Sequence, residues 1–364
     1  MKKTKSSGLD GISTTHIKPI IDQIAPMLTE MINSSLQEGV FPSIFKCAKI
    51  SPIYKGKGSK SDLKNYRPVS NLALFGKCIE TIVDVQLREF CEKNNILGNH
   101  QHGFRRSRST TTALLTAVVR WRDSKSRGKF QGALLFDCSA AYDMLSRDLY
   151  IGKAKIYGMD PLVIKWLNDY LSNRSQLVQI GEARSKVRQL PVGTPQGSAI
   201  SCLIFAIFVA DIEQWTSKGK IIMYADDSFI TVEADSEEDL IPLLETEGEK
   251  VLDFFTANGM VANPEKSALL IIRPSKKKSN NGMCEVKLYG KVVRESTSEK
   301  LLGIHIAADM KWDKQIETLT SDVAYRVSQI RRLRYSLSKK DMCTIANGIV
   351  NSKLRYGLAV FGAE

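Results

Sequence analysis

A chain of 364 residues, 43% hydrophobic and 25% charged, has the make-up of a folded protein with a large core in two or three domains. Fibrous and disordered classes are excluded. A net charge of +13 favours a polyanionic partner, nucleic acid before membrane. Seven cysteines without a C-x-x-C pair point to neither a zinc site nor a disulfide framework, and read as core thiols of a reducing compartment.

In chain order, Asp10-Gly11 precedes an amphipathic helix over 17–36, interrupted by Pro26. A basic, proline-punctuated region covers 41–68, and a helix over 72–92 places Ile79, Ile82, Val83 and Leu87 at helical spacing. His100 and His102 fall in a polar loop and read as surface residues. Residues 104–129 hold eight Lys/Arg against one acid, Asp123, as a loop entering a helix at 110–121. The apolar run 132–136 reads as a buried strand ending at Asp137. Helices at 148–157 and 161–172, a strand at 176–180, a Gly/Pro turn at 191–197 and a buried helix at 198–215 follow.

Next comes a β-hairpin, whose flanks Ile221-Ile222-Met223 and Ser228-Phe229-Ile230-Thr231-Val232 enclose Tyr224-Ala225-Asp226-Asp227. Residues 233–249 carry eight acids and no Lys or Arg, a helix with an exposed acidic face whose start is blurred by Pro242. Strands near 268–272, 286–288 and 301–306 precede a helical, basic stretch over 311–355 with ten Lys/Arg against four acids. This order implies an α+β core flanked by helical or mixed subdomains.

No signal peptide opens the chain, and the apolar stretch 199–210 is too short to span a bilayer. The expectation is a soluble protein of the nucleus or cytoplasm, not secreted and without membrane contact. Both ends read as cuts from a longer frame.

Chemistry concentrates on the carboxylates. Adjacent acids repel one another and are costly to bury unless a cation sits between them. If the strand ending at Asp137 lies beside the Asp226-Asp227 hairpin, three carboxylates converge. Such hard oxygen ligands with open positions suit Mg²⁺. Two ions held so would activate an attacking hydroxyl and neutralise a leaving pyrophosphate.

The run from Ala133-Leu134-Leu135-Phe136-Asp137 to Ala141-Tyr142-Asp143 resembles motif A of reverse transcriptases of the non-LTR (LINE-like) retrotransposon type. Leu190-Pro191-Val192-Gly193-Thr194-Pro195-Gln196-Gly197-Ser198 resembles motif B and Tyr224-Ala225-Asp226-Asp227 motif C. Asn263-Pro264-Glu265-Lys266-Ser267 is similar to motif D, and Lys300-Leu301-Leu302-Gly303-Ile304 to motif E, the primer grip. Upstream, Asn65-Tyr66-Arg67-Pro68-Val69-Ser70 and Gln101-His102-Gly103-Phe104-Arg105 resemble fingers motifs of the group, and Ser6-Ser7-Gly8-Leu9-Asp10-Gly11-Ile12 its lead-in. The matches run in register over nearly the whole chain.

The resemblance implies a right-hand polymerase: fingers with lead-in over 1–130, a ferredoxin-like palm with an antiparallel sheet over 131–310, and a partial helical thumb over 311–364. The reverse transcriptase domain would cover about 36–306. It further implies an RNA-directed DNA polymerase with an RNA template, a DNA primer, dNTPs and two Mg²⁺ ions, with Mn²⁺ as substitute. Asp137 and Asp226 would be the principal metal ligands, Asp227 assisting and the Cys138 carbonyl completing a site. Tyr142 would be the steric gate against a 2′-hydroxyl, where RNA-copying RNA polymerases carry a polar residue. Gln196 and Gly197 would contact nucleotide and template, the glycine because a backbone approaches a base pair.

Lys266 would protonate pyrophosphate, and Arg67 and Lys49 would hold the triphosphate, although Lys49 reads equally as a surface lysine. Arg105, Arg106 and Arg108 would bind template phosphate, or form a solvated basic loop. Leu302 and Gly303 would meet nucleic acid. Asp143 reads as a structural salt bridge or as support for the metal site. An endonuclease domain is expected in the full-length element. Two alternatives stand beside this reading: a truncated or domesticated nucleic-acid-binding relative without catalysis, and a group II intron-type reverse transcriptase.

Overall fold

The computed structural model describes residues 6–138, 141–262, 267–274 and 282–362. It is an α+β structure with two compact units, one of Met1–Gly98, Ser139–Asp211 and Phe255–Val261, the other of Asn99–Cys138, Ile212–Phe254 and Ala262–Glu364. Among the described residues no helix is long and apolar enough to cross a membrane.

The first unit is built on a sheet that the sequence hides. Strands Cys47–Tyr54 and Tyr66–Asn71 pair antiparallel, and Cys47–Tyr54 also pairs in parallel with Arg174–Ile180. Pro52 faces Pro68 across the hairpin. Pro52 lies beyond the parallel pairing, which stops at Ile50, so its missing N–H removes no bond on that side. Helix Leu74–Lys93 buries Ile79, Val83, Leu87 and Cys91, a stripe at every fourth position. Phe41 meets Tyr170 edge-on at 5.0 Å, Tyr170 stacks on Trp166 at 5.2 Å, and the buried Arg174 guanidinium lies 4.7 Å over the Tyr170 ring.

The second unit centres on an antiparallel sheet in the order Lys220–Tyr224, Asp227–Ala234, Phe130–Phe136, Ala268–Ile272. Both faces are covered, which is why 132–136 is apolar without alternation. Ala133, Phe229, Leu270 and Ile272 pack with Ala113, Leu114, Ala117 and Trp121 of helix Thr110–Ser126. That helix starts where Ser109 and Thr112 cap each other reciprocally. On the opposite face Gly132 admits Leu244, since a Cβ there would lie 2.6 Å from Leu244 Cδ1.

Helix Glu237–Ala257 carries Pro242 inside it, and its acids are not a merely exposed face. Glu247, buried, accepts from the N–H groups of Ser217 (3.0 Å) and Gly219 (2.9 Å), while Glu245 and Glu249 accept from those of Lys287 and Tyr289. Burial alone would raise the Glu247 pKa, but Lys250, these N–H groups and the Ser217 hydroxyl hold it down at about 2.

Other expectations shift locally. The single strand expected over 301–306 is a hairpin of Ser298–Leu301 and Ile304–Ala307. The buried helix expected over 198–215 is Ser201–Phe208 followed by a 3₁₀ turn, Ala210–Gln214. His100 and His102 are buried, not surface residues.

Candidate active site

Strands Phe130–Phe136 and Asp227–Ala234 are neighbours, with Phe136 opposite Ser228, so Asp137 leaves its strand beside the Asp226-Asp227 turn. The turn is as tight as a hairpin permits: Tyr224 pairs with Asp227, leaving only Ala225 and Asp226 between the strands. Ala225 takes a left-handed φ of +61°, a strain of about 1–2 kcal/mol for a residue with a Cβ.

Asp227 feels the other two carboxylates. Asp227 has its pKa raised, first by burial and then by the charges of Asp226 and Asp137. Burial, then the same two acids, pushes the Cys138 thiol up to about 12, so it stays protonated at neutral pH. Lys266 lies outside the described residues.

Asp227 also borders a cavity of about 680 Å³ within the second unit, shared with Tyr224, Lys300, Leu302, Gly303, Lys353 and Tyr356. Leu302 and Gly303 form the turn of their hairpin, with φ of +46° and +87°. The Tyr356 hydroxyl donates to the Leu302 carbonyl and its ring lies against Gly303. Tyr356, 54 residues from the Leu302 it bonds, and Lys353, which lines the same cavity, carry no local signal in the sequence.

Gln101, His102 and Gly103 are also placed against the Tyr224–Asp227 turn. The His102 N–H donates to the Met223 carbonyl and the Met223 N–H to the His100 carbonyl, both at 2.8 Å. Burial, then Arg108 and Arg105, lowers the His102 pKa to about 4, so the ring is neutral at physiological pH. Arg108 donates to Asn99 (2.8 Å) and Arg105 to the Gln101 carbonyl (3.4 Å); Arg106 is exposed.

The first unit holds the remaining candidates. Lys49 and Arg67 lie on one face of their hairpin, across from Asn71 and Ile53 respectively, opposite the face that buries Ala48, Ile50 and Ser70. The Gln196 carbonyl accepts the Ser70 N–H at 2.7 Å, attaching the 193–198 loop to that hairpin. Gly197 has φ of +122°, and a Cβ on it would lie 2.7 Å from the Ser70 oxygen. Its glycine requirement thus has a local cause, a neighbouring strand, besides any base pair.

Tyr142 is half-buried, its ring 4.7 Å from that of Phe205, and its carbonyl accepts the Thr194 N–H. Among the described residues Asp143 has no salt-bridge partner. Both its carboxylate oxygens accept from the Gln196 amide, at 3.0 and 2.9 Å. A deeper network lies behind. Buried Glu80 accepts from the Tyr170 hydroxyl (3.0 Å) and the Ala199 N–H (2.8 Å), and that hydroxyl lies 2.7 Å from Ser198 Oγ. Burial raises the Glu80 pKa against the pull of the Ala199 N–H, Arg174, Ser198 and Tyr170.

Carboxylates brought together at adjacent strand ends are the kind of donor set that two-metal nucleotidyl-transfer enzymes use. The reverse transcriptase (RNA-dependent DNA polymerase) family model matches residues 55–306, more than half of the chain, which belongs to that family.

The RNA-directed DNA polymerase from mobile element jockey of Drosophila melanogaster is 26% identical, over 98% of this chain and 40% of that protein. The probable RNA-directed DNA polymerase from transposon X-element of the same species is 23% identical, over 98% and 40%. The chain thus spans about two-fifths of the length of these relatives. An apo telomerase from Candida tropicalis, truncated from its C-terminal domain, superposes with a TM-score of 0.49 at 14% identity, covering 75% of this chain and 55% of the other.

Proposed function

We propose that the chain is the polymerase portion of a non-LTR retrotransposon protein and copies RNA into DNA. Three carboxylates at neighbouring strand ends carry the reading: Asp137, Asp226 and Asp227, the last of which feels the charge of the other two. The right-hand division into fingers (1–130), palm (131–310) and thumb (311–364) is part of it, as is work in the nucleus or cytoplasm and an endonuclease elsewhere in the parent protein.

The donor set fits hard divalent cations. A partly buried cluster of negative charge that raises the pKa of Asp227 is relieved by Mg²⁺ more readily than by water. Among the described residues, the one trio with ligand atoms all within 4.8 Å is Glu237, Cys284 and Glu295. There Arg273 already bonds both carboxylates. When bound, the ions would lower the pKa of the primer 3′-hydroxyl and offset charge on the transferring phosphate.

This chain's residues do the rest. Asp137 and Asp226 would hold the pair of ions, with Asp227 and the Cys138 carbonyl assisting. The Tyr142 ring, backed by Phe205, excludes a 2′-hydroxyl, and Gln196, fixed by Asp143 and Ser70, meets the incoming nucleotide. Arg67 and Lys49 take the triphosphate, Lys266 protonates the pyrophosphate, and Arg105, Arg106 and Arg108 take the template backbone. The Leu302-Gly303 turn, walled by Tyr356 and Lys353, takes the primer end.

Sugar selection tests this reading. Tyr142→Val opens space beside Phe205 and is expected to raise the UTP/dTTP incorporation ratio on an RNA template by about tenfold or more. The ratio is read by gel-resolved extension in mixed substrates. An unchanged ratio removes Tyr142 from sugar recognition.

A further inference from the structure

We infer that Gln101 is a positioning residue for the metal-binding turn, acting through the backbone of Ala225. The inference rests on the reading of Asp137, Asp226 and Asp227 as a divalent-metal site. Gln101 is fully buried, and its Oε1 accepts two N–H groups at once: that of Gly103 at 2.7 Å and that of Ala225 at 3.3 Å. Gln101 and Ala225 lie 124 residues apart in the chain, so one oxygen joins the 99–103 loop to the centre of the turn.

Register holds that oxygen in place. The exchange of N–H and carbonyl between His100, His102 and Met223 forms a parallel bridge, with Gln101 opposite Met223. Gly103 completes the seat. A Cβ at Gly103 would lie 2.4 Å from the Ala225 nitrogen and 3.2 Å from its Cα, so only a bare backbone fits against the turn.

The consequence lies in the turn's conformation. Ala225 occupies the left-handed region at φ +61°, which an alanine leaves unless its surroundings over-determine it. Its N–H is the group that Gln101 accepts, and the next two residues are Asp226 and Asp227. Removing the acceptor frees Ala225 to return to an ordinary backbone conformation and turns the Asp226 carboxylate away from Asp137. Gln101 touches no reacting atom, and its effect is read in metal affinity.

The test is titration of Mn²⁺ into the full chain without nucleic acid, with free Mn²⁺ followed by electron paramagnetic resonance. Wild type is compared with Gln101→Met, Gln101→Glu and Asp226→Asn. Met matches the glutamine in size and lacks the acceptor, and its affinity is expected to fall by about tenfold or more, as when a ligand's supporting partner is lost. Glu keeps an acceptor oxygen and is expected to stay within about threefold of wild type, which keeps the inference testable if the Met variant folds poorly.

Folded Gln101→Met that binds Mn²⁺ like wild type overturns the inference and leaves the metal site standing. So does a Gln101→Glu variant weakened about tenfold. Wild type and Asp226→Asn binding alike overturn the metal reading itself, and the inference with it. A purely structural role would lower the unfolding temperature and leave the affinity of the folded protein unmoved.

Discussion

Asp226→Asn is expected to abolish DNA synthesis while leaving binding to a primer–template duplex intact. The substitution preserves size and removes one negative charge from a turn whose geometry is set by the Tyr224–Asp227 pairing and by the 100–103 segment. Metal-borne charge stabilisation amounts to several kcal/mol, which corresponds to about a thousandfold or more in rate. Duplex affinity depends instead on lysines and arginines neutralising phosphates, of which the chain carries 52. Steady-state extension and a salt-titrated binding isotherm separate the two effects. Extension within about tenfold of wild type would remove Asp226 from the chemistry.

Glu80→Ala is expected to produce the largest loss of stability, about 3–5 kcal/mol in denaturant unfolding. Glu80 is 1% exposed and Arg174 2% exposed, and Arg174 is among the charges that favour ionised Glu80. Truncation leaves that guanidinium buried without the opposing carboxylate, and strips the Ala199 N–H and the Tyr170 hydroxyl of an acceptor. A domain stable by about 5–15 kcal/mol would lose a large fraction of its margin. Glu80→Gln keeps an acceptor oxygen and should lose less. A change below about 1 kcal/mol for the alanine variant would show that the network is dispensable. Because Ser198 and Ala199 follow Gly197 directly, the same loss should loosen the Gln196 loop.

The acidic turn was readable in the sequence because the two strands that enclose it are specified locally. β-Branched and aromatic flanks specify strands, and two residues between Tyr224 and Asp227 leave only a hairpin turn. The strand before Asp137 was readable for a similar reason, as a short apolar run closed by an acid. What escaped depends on partners distant in the chain. Pro52 and Pro68 with their neighbouring lysines hide a hairpin that tolerates both prolines, because Pro52 lies past the end of the parallel partner and Pro68 is on the edge strand.

The acids of 233–249 read as an exposed face, yet Glu247 is 1% exposed on its side chain and anchors the chain at 217–219. Nothing near Gln101 announces that it supports Ala225, and nothing near Tyr356 that it caps the Leu302-Gly303 turn. Asp143 left two roles open, and the structure gives a third, a hold on the Gln196 amide. Family motifs single out the candidate residues. Contacts between remote segments show what keeps several of them in place.

The central claim is metal-dependent copying of RNA by this chain, and primer extension tests it most directly. Purified wild-type protein is given poly(rA)/oligo(dT), dTTP and either Mg²⁺, Mn²⁺ or a chelator. The expected result is a ladder of extended primer with either metal and none with chelator. Protein that binds the duplex but adds no nucleotide under any metal or salt condition would contradict the account and leave a nucleic-acid-binding relative without catalysis.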